Sequence, residues 1–402
     1  MSSSNQNPVV LLGTLLVLQA VGVGVPLASF GVFVTAISED FETSRSVISL
    51  GLTLFMVSQA VAGPLIGGLA DRVGVRAIAL LGAALLSVGV LGLSMMPGLP
   101  GVAVFFVGPT ALGAVALGPL IAAKAVSEAF TENRASALGI SGVGPSLGGL
   151  LLPPVLAIGI EQLGWREICA ATGWIIGLAI LPLVWFGLRG VAGGPQEGEA
   201  ATNPPGLTFL RQREFWVLLA VFGSSFAVLV ATGATLPPLA SDRGADGASA
   251  ALLVSIFSVS GIAGNVFFGW LADRMDHRRV VWLAQLPLIA MCVALVRSES
   301  GTWLPLIAAV GGTAGGLTAL WATLIGDVWP AAYFGRIMGV MGMLMLPLNI
   351  AGVQLAALSF DRQGGYGAAF AVFALAIVAA AVVLLAFRHD AEEASTLDSG
   401  RE

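Results

Sequence analysis

Hydrophobic residues in this chain come in long uninterrupted runs rather than in the one-sided stripes of a helix at a water-facing surface. Such runs lie at 9–36, 46–68, 77–96, 100–126, 135–160, 166–188, 214–239, 249–271, 279–296, 302–326, 335–359 and 366–387. A helix needs about 20 mostly apolar residues to cross a bilayer, and each run is close to that length or longer. The first carries no charged residue between Met1 and Glu39. It is too long for a cleaved leader and lacks a basic flank, so no signal peptide is expected. The pattern predicts an all-α integral membrane protein with twelve transmembrane helices.

The stretch between the sixth and seventh runs, with GGPQEGEAATNPPG at its centre, is polar and rich in Gly and Pro and reads as a linker. The expected organisation is a six-helix bundle over 1–188, a cytoplasmic linker over 189–213, a second bundle over 214–387 and a cytoplasmic tail over 388–402. The halves echo each other. Gly67-Gly68-Leu69-Ala70-Asp71-Arg72 follows the second run, and Gly269-Trp270-Leu271-Ala272-Asp273-Arg274 follows the eighth. A weaker echo sets Glu128…Ala137-Leu138-Gly139 against Asp327…Ile337-Met338-Gly339. Offsets of 202 and 200 residues argue for duplication. Two pseudo-symmetric bundles with a site at mid-membrane is a transporter architecture.

Composition agrees. The 402 residues are 57% hydrophobic and 10% charged, far below the roughly 25% charge of a soluble domain. With 53 glycines the helices can pack closely. A net charge of −5 and no basic stripe exclude nucleic acid as a partner. Cys169 and Cys292, the two cysteines, sit in apolar runs and suggest neither a disulfide nor a metal site. With an even number of spans, thirteen Lys and Arg residues fall on the side of the linker and both termini, against five on the other. The positive-inside rule then puts both termini in the cytoplasm. The expected location is the cell membrane, as a multi-pass protein of a bacterial inner membrane.

Gly67-Gly68-Leu69-Ala70-Asp71-Arg72-Val73-Gly74-Val75-Arg76 resembles the signature loop of the major facilitator superfamily, G-x-L-a-D-r-x-G-r-k. The second copy keeps Asp273, Arg274 and Arg278 and has Asp276 in place of the glycine. The resemblance implies the twelve-helix major facilitator fold and alternating access by rocking of the two halves. Gly67 and Gly68 would allow close helix contact, Asp71 would cap a helix or pair with an arginine, and Arg76 would reach a partner helix. Together with Arg72, Asp273 and Arg274 they form the expected gating set; the competing reading is a solvated loop anchor. Ser29-Phe30-Gly31-Val32-Phe33, Ile37-Ser38-Glu39-Asp40-Phe41 and Ser44-Arg45-Ser46-Val47-Ile48-Ser49 are similar to the first two helices of the monocarboxylate-porter-like branch. The eighth run lacks the Asp/Arg pair of the animal monocarboxylate carriers. Gly144-Pro145-Ser146-Leu147-Gly148-Gly149 resembles the core of an antiporter-associated pattern, or simply provides close packing and a bend.

Charges inside spans are costly and usually functional. Lys124 lies roughly 9 Å before Phe130 along a helix; it is either the cation that meets a carboxylate solute or a snorkelling side chain. Glu128, one turn on, either pairs with Lys124 and exchanges protons or ends the helix in water. Asp327, its counterpart, is a proton site or a helix-terminal anchor. Gln19, Asn265 and Asn349 are candidate solute contacts, with interhelical glue as the alternative. Trp321 either lines a cavity or packs.

These residues and the resemblance lead to the expectation of a secondary transporter: proton-coupled uptake of a small, monocarboxylate-like organic anion. A proton-driven exporter of amphipathic compounds is the alternative, and a non-transporting receptor a remote third. There is no nucleotide-binding motif, so ATP is not the expected energy source. No enzyme activity, cofactor or metal is expected; the partners are solute, protons and lipid.

Overall fold

The computed structural model describes residues 7–130, 132–191, 207–244, 246–297 and 301–386. The central part of the expected linker and the tail from 388 lie outside these residues. The described chain is helical along its apolar runs, with breaks at Ser29, Gly118 and Gly142-Val143. We label the spans α1 Pro8–Val34, α2 Val47–Val73, α3 Val75–Met95, α4 Leu99–Ala129, α5 Arg134–Leu163 and α6 Trp165–Gly187. The second set is α7 Arg213–Asp242, α8 Leu252–Ala272, α9 His277–Arg297, α10 Gly301–Val328, α11 Ala331–Gln363 and α12 Gly367–Val383. The first eleven are long and apolar enough to cross a membrane; the 17-residue α12 is shorter but equally apolar.

Helix ends follow local chemistry. Asn7 caps α1 through the amide of Val9, and Ser44 caps the helix of α2 through Val47. Contrary to the loop expected from the sequence, Gly67 to Val73 are the last turns of α2. The only residue between α2 and α3 is Gly74, at φ 88° and ψ 155°. That backbone conformation is open essentially to glycine alone. The apolar stretch ends where charge begins at Asp71, but the backbone hydrogen bonds continue to Val73. In the second copy Asp276 replaces this glycine, and its carboxylate instead accepts the amides of Arg278 and Arg279 at the start of α9.

The chain forms two compact units, one from Met1–Ala201 with Pro330–Met343, the other from Thr202–Trp329 with Leu344–Glu402. Inside the first, α1 packs on α5, α3 on α4 and α6, and α2 on α4. Inside the second, α7 packs on α11, α9 on α10 and α12, and α8 on α10. The pairing pattern is the same after six helices are added to each number, so the duplication seen in the loops extends to the packing. Glycine makes the close approaches. A Cβ on Gly148 would sit 2.2 Å from the carbonyl oxygen of Ala20, and one on Gly264 1.9 Å from that of Thr313. The Gly144–Gly149 segment thus seats α5 on α1, as small residues do in membrane helices.

A buried lysine between two carboxylates

The cluster at the end of α2 is assembled by three chain segments of the first unit. Gly118 interrupts α4 and Pro119 restarts it, so that Lys124 and Glu128 share a face of the short segment Pro119–Ala129. Asp71 comes from the last turn of α2. The third segment is Pro330–Met343, where a short turn over Ala331–Tyr333 leads into a helix starting at Phe334.

Lys124 is 2% exposed, and all three of its N–H groups are engaged. Its Nζ lies 2.7 Å from Asp71 Oδ1, 2.9 Å from Glu128 Oε1 and 3.1 Å from the carbonyl oxygen of Ala331. The lysine does not snorkel, and Asp71 pairs with it rather than with an arginine. Asp71 also accepts the amide of Gly335 on Oδ1 at 3.0 Å and that of Arg336 on Oδ2 at 2.9 Å. First-turn amides have no partner in their own helix and carry the positive end of its dipole, so Asp71 caps that helix from outside. Glu128 keeps one atom in reserve: Oε2 is buried and finds no hydrogen-bond partner among the described residues. The cluster therefore sets two carboxylates against one ammonium in a largely buried site.

Paired glycines make this geometry possible. Gly63 and Gly67 on α2 meet Gly339 and Gly335 on α11; a Cβ on Gly67 would lie 2.0 Å from the Gly335 carbonyl oxygen, and one on Gly339 2.5 Å from that of Gly63. Each helix carries a G-x-x-x-G spacing, which lets backbones touch. Gly68 faces the Arg336 side chain.

The remaining candidates lie elsewhere. Arg72 is exposed. Arg76 places its guanidinium 4.3 Å above the Trp185 ring of α6. Asp273 is partly buried, and Arg274 stacks 4.1 Å above Trp270 while donating to that residue's carbonyl oxygen. Gln19 is buried and donates to the carbonyl oxygen of Ser141 at 2.7 Å, joining α1 to α5. Asn265 is buried and accepts from the Thr318 hydroxyl at 2.5 Å, joining α8 to α10. Trp321 packs edge-on against Phe226 with ring centroids 5.6 Å apart. Asn349 is half-buried, with a buried Oδ1 that lacks a hydrogen-bond partner among the described residues. Asp327 joins His277, whose Nδ1 is 2.5 Å from Oδ2.

The helix cap expected of Asp71 is present, but sequence reasoning missed which helix it caps, the G-x-x-x-G pairs and the His277 partner of Asp327. One signal for the cluster was present: Lys124 is the only lysine in a chain with seventeen arginines. A compact ammonium with three rotatable donors suits a three-acceptor cage in a way a planar guanidinium does not.

Comparison with known proteins places the chain in a family. The Major Facilitator Superfamily profile matches residues 11–238 and 219–402. Monocarboxylate transporter 11 of Mus musculus is 29% identical over 380 residues, covering 86% of this chain and 80% of the mouse protein. An uncharacterized MFS-type transporter of Bacillus subtilis, YcxA, is 25% identical over 387 residues, covering 91% and 92%. The solved structure of FucP from E. coli in its outward conformation superposes with a TM-score of 0.73 at 16% identity, over 95% of this chain and 99% of that one. The chain belongs to the Major Facilitator Superfamily, and it is a multi-pass membrane transporter with that family's twelve-helix fold.

Proposed function

We propose that the protein carries a small monocarboxylate-like anion together with a proton, by alternating access, and that Lys124, Glu128 and Asp71 couple the two. The observation that carries this reading is the Lys124 cage with its unpaired Glu128 oxygen. While both carboxylates are ionised, the cluster carries an excess negative charge, and Lys124 has no N–H left for a solute. A proton on Glu128 balances the charge and weakens its hold on Lys124, which frees a donor for an incoming carboxylate. Proton first, anion second is thus the order the chemistry favours, and the pair crosses without net charge. The mouse relative's name adds support for a monocarboxylate. Loading also loosens Asp71, which ties the amide end of α11 in place. Gly67, Gly68, Asp71 and their α11 partners then act as the gate, with Arg72, Arg76, Asp273 and Arg274 as its flanking anchors. Asn349 and Trp321 are further solute contacts in this reading. Gln19 and Asn265 hold helices together, because their amides already serve neighbouring helices. Asp327, held by His277, is an anchor rather than a second proton site.

The distribution of Arg and Lys supports cytoplasmic termini, a cytoplasmic linker over 189–213 and halves 1–188 and 214–387. Accessibility tags at 200 and 395 labelling from opposite faces of the membrane would refute this. The transport reading is tested in proteoliposomes with labelled lactate and pyruvate under an inward proton gradient, with a neutral sugar as control. Acid uptake that follows the proton gradient and disappears in Lys124→Ala is expected. Uptake of the sugar alone, or acid uptake indifferent to that substitution, would overturn it.

A further inference from the structure

A cavity of about 360 Å³ lies wholly within the first unit, between α1, α2, α3, α4 and α6, with Leu156 of α5 also on its wall. It is separate from the lysine cluster. Thr110 on its wall and Lys124 are fourteen residues apart along α4, which at 1.5 Å per residue is roughly 21 Å. A short carboxylic acid cannot span that distance. The volume falls in the range of sites for drug-sized molecules, roughly 300–1,000 Å³, and no charged side chain lines it.

Three features show that the cavity is built. Two of its walls are π turns, Gly24–Ala28 in α1 and Phe106–Thr110 in α4. Such turns insert an extra residue, spread the helix and recur at functional sites. The corresponding helices of the second unit, α7 and α10, have no π turn among the described residues. Next, Phe30 and Phe106 line the cavity and stack at 5.5 Å, and Phe106 stacks in turn on Phe55 at 4.7 Å. An array of offset rings offers a face to one more ring. Finally, the Thr110 hydroxyl is buried and finds no hydrogen-bond partner among the described residues. The wall on α2 includes exposed Leu50 and Leu54, so the cavity is open on that side.

We infer that this cavity is a binding site for an uncharged small molecule with a planar aromatic ring, seated against the Phe30–Phe106 stack and distinct from the Lys124 cluster. The absence of lining charge rejects anions, and the aromatic wall favours a ring over a flexible chain.

The test uses the full-length purified protein and benzophenone, an uncharged aromatic that inserts into C–H bonds on irradiation, with adducts mapped by mass spectrometry. Adducts should concentrate on residues 25–37 and 99–110 and be competed away by excess naphthalene. The anionic analogue 4-benzoylbenzoate should not label there. Gly51 lines the cavity, and a Cβ on it meets only Phe106 Cδ1 at 3.9 Å, so Gly51→Phe should fill the space and abolish these adducts. Leu93→Trp fills the same cavity from α3 and serves if the first variant folds poorly. Gly233→Phe, on α7 where a Cβ meets nothing within 4 Å, should leave labelling intact. Labelling that is uncompeted, equal for the anionic analogue or unchanged in both filling variants would overturn the site. So would a co-purified lipid chain shown to occupy it.

Discussion

Gly67→Ala adds one methyl group where two helix backbones touch, and its effect can be worked out from distances. The new Cβ would sit 2.0 Å from the Gly335 carbonyl oxygen, where 3.0 Å is the practical floor, so the backbones must part by about 1.0 Å. No flexible side chain is there to give way. The Asp71 bonds to the amides of Gly335 and Arg336 start at 3.0 and 2.9 Å. A further ångström takes both past the roughly 3.2 Å limit of a useful N–H···O bond. Hydrogen bonds to a charged group are worth roughly 1.5–3 kcal/mol each, so losing two costs at least about 3 kcal/mol. The better helix propensity of alanine is gained in both gate states, because α2 stays helical, and it cancels. The weakening of about 3 kcal/mol is a shift of roughly 150-fold in the gate equilibrium. A reporter cysteine at Ile337, 1% exposed in the parent, in a background lacking Cys169 and Cys292, should react with a maleimide faster by about that factor. Lactate uptake should fall in parallel. A Gly67→Ala protein that labels at the parent rate and transports normally would refute the idea that this contact holds the gate.

Other substitutions test other parts. Lys124→Ala leaves two buried carboxylates unpaired and should cost about 3–5 kcal/mol in thermal unfolding, with Asp71→Asn plus Glu128→Gln restoring part of it; no rescue would argue against the charge cage. Lys124→Arg keeps the charge but not the three-point fit, so uptake should fall while the protein stays folded, and full activity would show that any cation suffices. Gly74→Ala forces a side chain into a backbone region reserved for glycine and should destabilise by about 1–3 kcal/mol, measured as a lower melting temperature in detergent. Asp327→Asn removes the partly buried partner of His277 and should lower stability by about 1 kcal/mol without changing the proton dependence of uptake; a changed proton dependence would make Asp327 a coupling site after all.

The spans were legible because lipid demands the same apolar signal from every membrane helix, and each expected run became a helix. Their ends were less so. Helical hydrogen bonds do not stop where charge begins, which is why Asp71 belongs to α2 and not to a loop. The pair Lys124 and Glu128 could be placed on one face from spacing alone. Asp71 could not be joined to them, because its distance in sequence from Lys124 says nothing about which helix ends meet. The cap on Gly335 and Arg336 was hidden for a deeper reason: backbone amides carry no residue signature. His277 lies just outside the 279–296 run, and only the packing of α9 and α10 brings it against Asp327.

In the proposed mechanism a proton at Glu128 releases Lys124 to the solute anion. Proteoliposomes loaded with a pH-sensitive dye, given external lactate, measure both movements at once. The parent should acidify inside as lactate enters, and Glu128→Gln should still exchange lactate for lactate while moving no protons. A Glu128→Gln protein that acidifies its lumen like the parent, or a parent that takes up lactate without any acidification, would contradict it.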